Sequence, residues 1–340
     1  MTFDLIITTC NRPDKLLQLI EESLQCTLMP ENIIVVDSSD DSHAFKIRNN
    51  IQQFEKVIYI RSSHKNQPYQ RLLGSMVSKA AILVFFDDDL HIIDQNIFNL
   101  LVDAYKEPKV VGATVRIDYR SSIVDNLDPP VFSSNSRTYG LLSWVTFSRL
   151  PHAGKASRLG LVGSQPRKTQ KIDFFYGPCM SFRQEIITEI ITNDLLSMYE
   201  SEYGKGEDKA ISFLANKFGV LKYINNTCLV HPPNNSSYFF STRNFFARVT
   251  YSRLYLSIIY AESFQLPKWK EYIIFYWFAY CRIVIALVSF LIKPTNSRKN
   301  KLIGIVYGTL LTIHKPPKEK YWTPGIDWKN EIKYDLSDLQ

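Results

Sequence analysis

The chain has 340 residues, 45% hydrophobic and 21% charged, a balance that excludes a disordered or fibrous protein. Forty lysines and arginines against 33 acids leave a charge of +7, which suits an anionic partner without choosing among nucleotide, phospholipid surface and nucleic acid. Five cysteines (Cys10, Cys26, Cys179, Cys228, Cys281) form no C-x-x-C pair, so neither a disulfide framework nor a zinc ribbon is expected, and a reducing cytosol is the default compartment. Leu5-Ile6-Ile7 is preceded by no basic leader or cleavage site, which argues against secretion through a signal peptide.

In chain order, residues 5–7 read as a short strand closed by Thr8-Thr9. Asn11-Arg12-Pro13 then signals a helix start, continued by Leu16, Leu17, Leu19 and Ile20 at helical spacing. Residues 33–36, 57–60 and 82–86 are three more apolar strands, the first closed by Asp37-Ser38-Ser39-Asp40-Asp41 and the last by Asp87-Asp88-Asp89. Continuous β-branched and aromatic runs between amphipathic helices predict an α/β fold, with a mostly parallel central sheet flanked by helices. Open sheets of this kind bind ligands beyond the carboxyl ends of their strands, where strand order reverses. The polar residues fall at those ends.

Residues 110–117 read as a further strand and 121–171 as loop-rich, with order resuming over 172–177. Helices are expected from about Arg183 and Glu207, and a strand over 220–224. From 272 to 292 the chain is almost wholly apolar, broken mainly by Arg282. About 20 such residues can cross a bilayer, but a central arginine costs roughly 2.5–3.5 kcal/mol on insertion. A second stretch, 302–313, is too short to cross and holds Gly304 and Gly308. With Lys293, Arg298, Lys299 and Lys301 between them, the two are expected to lie in a membrane interface facing anionic headgroups; the alternative is burial in a larger core. The expected division is 1–240 for the α/β domain and 241–340 for a helical, membrane-associating region.

Asp87-Asp88-Asp89 is the sharpest chemical signal. Three consecutive carboxylates repel one another, and a divalent cation removes the conflict; Mg²⁺ takes one or two carboxylates and fills its shell with phosphate and water. A polar loop ending in a helix cap is the plainer reading. Glu207-Asp208 at a helix start either complements the helix dipole or supplies a base. No G-x-G-x-x-G follows a strand, and no phosphate-loop lysine motif or G-x-S-x-G elbow is present, which disfavours dinucleotide oxidoreductases, P-loop NTPases and serine hydrolases. No concentrated Lys/Arg stripe with interleaved aromatics is present, so nucleic acid is not an expected partner.

The run from Leu5 through Thr8-Thr9-Cys10-Asn11-Arg12-Pro13, then Val36-Asp37-Ser38-Ser39-Asp40, then Phe86-Asp87-Asp88-Asp89, resembles the nucleotide-binding half of family 2 glycosyltransferases with a GT-A fold, of the bacterial surface-polysaccharide type. Gln70-Arg71-Leu72-Leu73-Gly74 is similar to the family's A-R-N-x-G segment, with Leu72 in place of Asn. Gly177-Pro-Cys179-Met180-Ser-Phe-Arg183 is similar to G-x-N-M-x-F-R-R, with Cys179 for Asn and Gln184 for the second Arg. Gly206-Glu207-Asp208 resembles the G-E-D motif that opens a helix, and His231 stands where the family often has a histidine.

The resemblance implies an inverting, metal-dependent glycosyltransferase, hexosyltransferase-like, that moves a sugar from a nucleotide-diphosphate donor to a hydroxyl of a glycan or lipid-linked acceptor. Asp208 would be the catalytic base, with Glu207 beside it. Thr8, Thr9, Asn11, Arg12, Asp37, Arg71, Asp87 and Asp88 would meet the nucleotide, Asp37 accepting from a base N–H and Arg71 offering a planar donor fork. Asp89, Asp87 and His231 would hold Mn²⁺ or Mg²⁺, and Gly177, Met180 and Arg183 would line the donor/acceptor pocket. The implied location is the inner face of the cell membrane, cytoplasmic and peripheral through the C-terminal helices. Two other readings stand beside it. A sugar nucleotidylyltransferase would need a glycine-rich loop that Thr8–Pro13 lacks; a non-catalytic membrane-bound scaffold with a degenerate pocket is suggested by Leu72 and Cys179.

Overall fold

The structure, a computed structural model, describes residues 1–119, 143–201, 203–232, 243–317 and 326–337; the 121–142 part of the 121–171 loop region lies outside them. Strands β1 (Phe3–Thr9), β2 (Ile33–Asp37), β3 (Val57–Arg61) and β4 (Ile82–Asp87) are parallel, linked by helices α1 (Pro13–Leu24), α2 (Asp41–Ile51) and α3 (Gln67–Val77). Their spatial order is β3-β2-β1-β4, so the winding reverses between β1 and β4. Alternate residues feed two cores, as strand geometry requires. Ile6, Ile34, Leu83 and Phe85 face α3 on one side; Leu5, Ile7, Val84 and Phe86 face α1 on the other. α3 lies close on β1: a Cβ at Gly74 would stand 2.6 Å from Ile6 Cγ2. That close approach brings the first turns of α3 to the carboxyl end of β1.

The rest of the sheet is mixed. After β5 (His91–Ile92), α4 (Ile97–Asp103), β6 (Val110–Tyr119) and β7 (Gln170–Ile172), strand β8 (Cys179–Arg183) inserts between β4 and β6, antiparallel to both. α5 (Ile187–Ile190), α6 (Asn193–Glu200) and α7 (Glu207–Ala215) lead to β9 (Val220–His231), parallel to β6. Two expectations change here. The helix placed near Arg183 is preceded by a strand whose first four residues are all buried; covered on both faces, it shows no alternation to read. The strand over 220–224 continues to His231 because a register shift opposite Val115 and Arg116 absorbs the polar residues Asn225, Asn226 and Thr227 as a bulge.

Four helices follow: α8 (Arg243–Ser263), α9 (Lys268–Ile292), α10 (Asn296–His314) and α11 (Trp328–Asp335). α8 packs on α7 and on α10, where a Cβ at Gly308 would stand 2.6 Å from the Ala247 carbonyl. α9 is, among the described residues, the one helix long and apolar enough to cross a membrane. Its inner face buries Glu271, Phe275, Phe278, Ala279 and Ala286. On the outer face Trp269, Ile273, Trp277, Tyr280, Val284, Leu287 and Leu291 are exposed, at the three-and-four spacing of a single stripe.

α11 returns to the α/β layer. Trp328, 2% exposed, donates from Nε1 to Ser197 Oγ at 2.9 Å. His64 lies between Glu200 (3.0 Å) and Glu331 (3.3 Å). Burial works against a charged imidazole there, but the two glutamates outweigh it and raise the His64 pKa. A raised folded-state pKa means the clasp stabilises fully below the ordinary histidine value of about 6.5 and weakens as pH rises through the folded one. Trp328→Ala is expected to cost about 3–5 kcal/mol in chemical denaturation. Amide exchange in α11, corrected for intrinsic rate, should accelerate on the alkaline side in the parent and lose that pH dependence in His64→Gln.

Candidate active site

The carboxyl ends of β1 and β4 form one wall of a cavity of about 500 Å³ lined by Thr8, Thr9, Arg12, Gln67, Asp87–Asp89 and His231, among others. The three acids take different partners. Asp87 Oδ1 accepts from Gln67 Nε2 (2.6 Å) and Arg71 Nη2 (3.2 Å). Asp88 accepts from Thr9 Oγ1 (2.7 Å) and Arg12 Nη1 (2.9 Å), and the same Arg12 nitrogen reaches Asp89 at 2.9 Å. His231 Nε2 lies 3.4 Å from Asp89 Oδ1. Burial first, then Asp89, Glu207 and Asp88, push Asp87 up to about 7 against the pull of Arg71, and burial also raises Asp88. Asp87 nonetheless keeps an open edge, with 27% of its side chain exposed.

Glu207 and Asp208 arrive from the first turn of α7. Gly206, the N-cap, has φ +84°, a left-handed conformation suited to glycine. Burial raises the Asp208 pKa, Glu207 adds to it, and Lys209 and Arg71 oppose. Glu207 therefore acts on Asp87 and Arg71 on Asp208, so both acid groups share one electrostatic environment. Arg71 is 2% exposed, and its Nη1 has no hydrogen-bond partner. Gly177 (φ +62°) turns beside Asp208; a Cβ there would stand 3.7 Å from Asp208 Oδ2. Tyr119 stacks near His231 with ring centroids 5.5 Å apart.

Other expected residues lie elsewhere. Asp37 is fully buried, held by Ser39 N–H (2.8 Å), Tyr59 OH (2.7 Å) and Arg61 (3.3 Å), and forms no part of the cavity lining. Asn11, with φ +59°, shapes the loop through Ser39 and Asp40 rather than facing the cavity. Met180 is a core residue opposite Phe85. Arg183 pairs with Ile82, at the opposite end of β4 from Asp87, and caps the carbonyls of Val110 (2.8 Å) and Tyr105 (3.0 Å). Antiparallel insertion of β8 carries that end of the motif away from the site. Leu72 and Cys179, the departures from the motif pattern, are buried in the core, so they do not mark a degraded pocket. The sequence reading missed Gln67, Gln70 and Lys65 of the lining. Only their place just before and within the first turn of a helix packed on β1 could have signalled them.

Among the described residues no group of three or more metal-ligating side chains gathers. The Asp89–His231 pair still fits a divalent cation. His231 Nδ1 lies 2.9 Å from the Pro232 carbonyl, which can only accept; in the neutral tautomer with the proton on Nδ1, the Nε2 lone pair opposes a carboxylate oxygen of Asp89. A cation between them resolves that opposition, and one carboxylate plus one imidazole leaves room for phosphate and water ligands.

A sheet reversing at β1/β4, with acids at both that crevice and a neighbouring helix start, is an α/β fold with its ligand cleft at the strand ends. The family model "Glycosyl transferase family 2" matches residues 4–191, over half of the chain, and the protein belongs to that family and is a glycosyltransferase. Its fold is similar to that of S. aureus TarS 1-349, at 13% identity, covering 100% of this chain and 92% of that one with TM-score 0.53. The same TarS fragment in complex with UDP-GlcNAc matches at 14% identity, the same coverage and TM-score 0.53. A mannosyltransferase, PcManGT from Pyrobaculum calidifontis in complex with GDP-Man and Mn²⁺, matches at 13% identity, 99% and 88% coverage and TM-score 0.48. No curated protein matches.

Arg183→Ala leaves two buried carbonyls without a donor and should lower stability by about 1–3 kcal/mol. Urea denaturation reads that loss, and nucleotide titration should show unchanged affinity.

Proposed function

We propose that the protein is an inverting glycosyltransferase that takes a nucleotide-diphosphate sugar and transfers the sugar to a hydroxyl acceptor at a membrane surface. The observation that carries this reading is the shared setting of Asp87, Arg71 and Asp208 beside the Asp89–His231 pair. A fold neighbour solved with UDP-GlcNAc supports a nucleotide-sugar donor.

Asp208 takes the proton of the acceptor hydroxyl, and the acceptor oxygen forms its bond to the anomeric carbon. The bond from that carbon to the diphosphate oxygen breaks on the opposite face, its electron pair leaving with the nucleotide. Burial that raises the Asp208 pKa makes its ionised form a better proton acceptor than an ordinary aspartate. Asp89 and His231, with Asp87 behind them, are the residues that would hold Mn²⁺ or Mg²⁺, which when bound neutralises diphosphate charge. Thr8 and Thr9 at the β1 end and Arg12 across Asp88 and Asp89 face the same cavity.

The exposed stripe of α9, with Lys268 and Lys270 at one end and Lys293 at the other, suits an anionic bilayer surface. Trp277 Nε1 donates to the Val145 carbonyl (2.8 Å), fixing the exposed Trp144, Val145 and Phe147 alongside that stripe. This arrangement favours a peripheral enzyme on the cytoplasmic face and a lipid-linked or growing-glycan acceptor. The boundary near residue 240 then separates the catalytic layer from the membrane-facing helices, although α11 crosses back.

Asp208→Asn should lower kcat by roughly 10²–10⁴-fold with nucleotide affinity retained. In the parent, kcat/KM should fall with acid at a pH above the ordinary aspartate value, because the base must be ionised; near-normal turnover in Asp208→Asn removes it from the mechanism. For the membrane, Trp277→Glu with Leu287→Glu should abolish flotation with anionic liposomes while donor hydrolysis without acceptor persists.

A further inference from the structure

A second cavity, of about 600 Å³, adjoins the first and shares Ser38 and Lys65 with it. Its floor is the end of β2 and β3, where Tyr59 and Arg61 cover the buried Asp37. Its remaining wall comes from the far end of the sequence: Tyr334, Asp335 and Ser337. Without α11 this cavity would be an open shelf.

That wall is firmly built. Asp335, 9% exposed, accepts at Oδ2 from Ser63 N–H, Ser63 Oγ and Tyr69 OH, each at 3.0 Å. Ser63 and His64 belong to the loop that runs into Lys65, Asn66 and Gln67, and Gln67 is the residue that holds Asp87. Asn66 ties the same loop to α6 through the Leu196 carbonyl (2.9 Å) and Glu200 (3.1 Å). Helix, loop and acid site are thus one connected unit.

The charge of the second cavity says what it takes. Lys65 is paired with Asp40 (2.9 Å), and Arg61 with Asp37 (3.3 Å) and Asp41 (3.4 Å). Arg48 lies over the Tyr59 ring, 4.8 Å from its centroid. Lys65 and Arg61 matched by acids, and Arg48 set over the Tyr59 ring, leave little attraction for a phosphate, whereas serine hydroxyls and the Tyr334 ring suit a neutral, flat, hydrogen-bonding ring. Its volume lies in the range of small-molecule sites. Tyr334 presents a ring that is 73% exposed at the rim. With the diphosphate fixed by the first cavity, the nucleoside has a contiguous space past Ser38 and Lys65.

We infer that the C-terminal helix α11 is part of the donor site, closing the cavity that receives the nucleobase and offering the Tyr334 ring as a stacking face. This rests on the donor reading above and adds a specificity element from outside the family-matched segment, which ends at residue 191.

The test uses full-length protein and isothermal titration with UDP, GDP and dTDP, and with inorganic diphosphate plus Mn²⁺ as a probe of the first cavity alone. Tyr334→Ala, at an exposed position, should weaken the preferred nucleotide about tenfold, as loss of one base-stacking ring does. Tyr334→Phe should restore it, and diphosphate affinity should stay unchanged in both. Unchanged nucleotide affinity in Tyr334→Ala, or equal weakening of nucleotide and diphosphate, overturns the assignment. A parent protein that binds diphosphate but no nucleotide also overturns it; one that binds neither overturns the donor reading itself.

Discussion

A buried guanidinium between two sets of carboxylates governs this structure. Arg71 lies on α3, which packs against β1 so closely that Gly74 has no space for a methyl group beside Ile6. From there it reaches Asp87 at 3.2 Å and acts electrostatically on Asp208, opposing the rise of its pKa. Five acids gathered from β4 and α7 would otherwise repel one another strongly in a low-dielectric setting. One arginine moderates that repulsion without cancelling it, and Asp87 remains pushed up to about 7. The site therefore concentrates negative charge that its own arginines do not cancel. Arg12, bridging Asp88 and Asp89, moderates the same repulsion at the outer edge.

The C-terminal helices connect the acid site to the exposed apolar stripe. α8 packs on α7, the helix that carries Glu207 and Asp208, while α9 shields one flank of the same bundle and turns its apolar stripe outward. α11 then returns to the loop before α3. Glu207 and Asp208 are thus braced by elements that also carry the exposed apolar stripe and the wall of the second cavity. Movement of that bundle has a short physical route to Asp208.

Much of this was legible in the sequence. The parallel half of the sheet was, because strands buried on both faces write continuous apolar runs, and the acids at their ends mark the crevice. Glu207-Asp208 at a helix start was equally plain. What failed did so for directional reasons. Motif similarity conveys which residues occur, not which way a strand runs, so Met180 and Arg183 were assigned to a pocket although β8 buries one and carries the other to the far end of β4. Asp37 stands at the expected strand end, but only coordinates show its carboxylate turned toward Tyr59 and Arg61. The bulge in β9 hid the continuity of Val220–His231 behind three polar residues. α11 was overlooked although Trp328, Glu331 and Asp335 recur at helical spacing; a stripe that mixes one apolar anchor with two acids does not register as a core-facing helix.

Anomalous diffraction from crystals holding Mn²⁺ together with the nucleotide diphosphate that binds most tightly is the most direct trial of the arrangement. A single peak between Asp89 Oδ1 and His231 Nε2, in contact with the diphosphate and on the side of the cavity that faces Asp208, is the expected result. A nucleotide bound with its diphosphate away from these residues, or a metal peak remote from both acid groups, would contradict it.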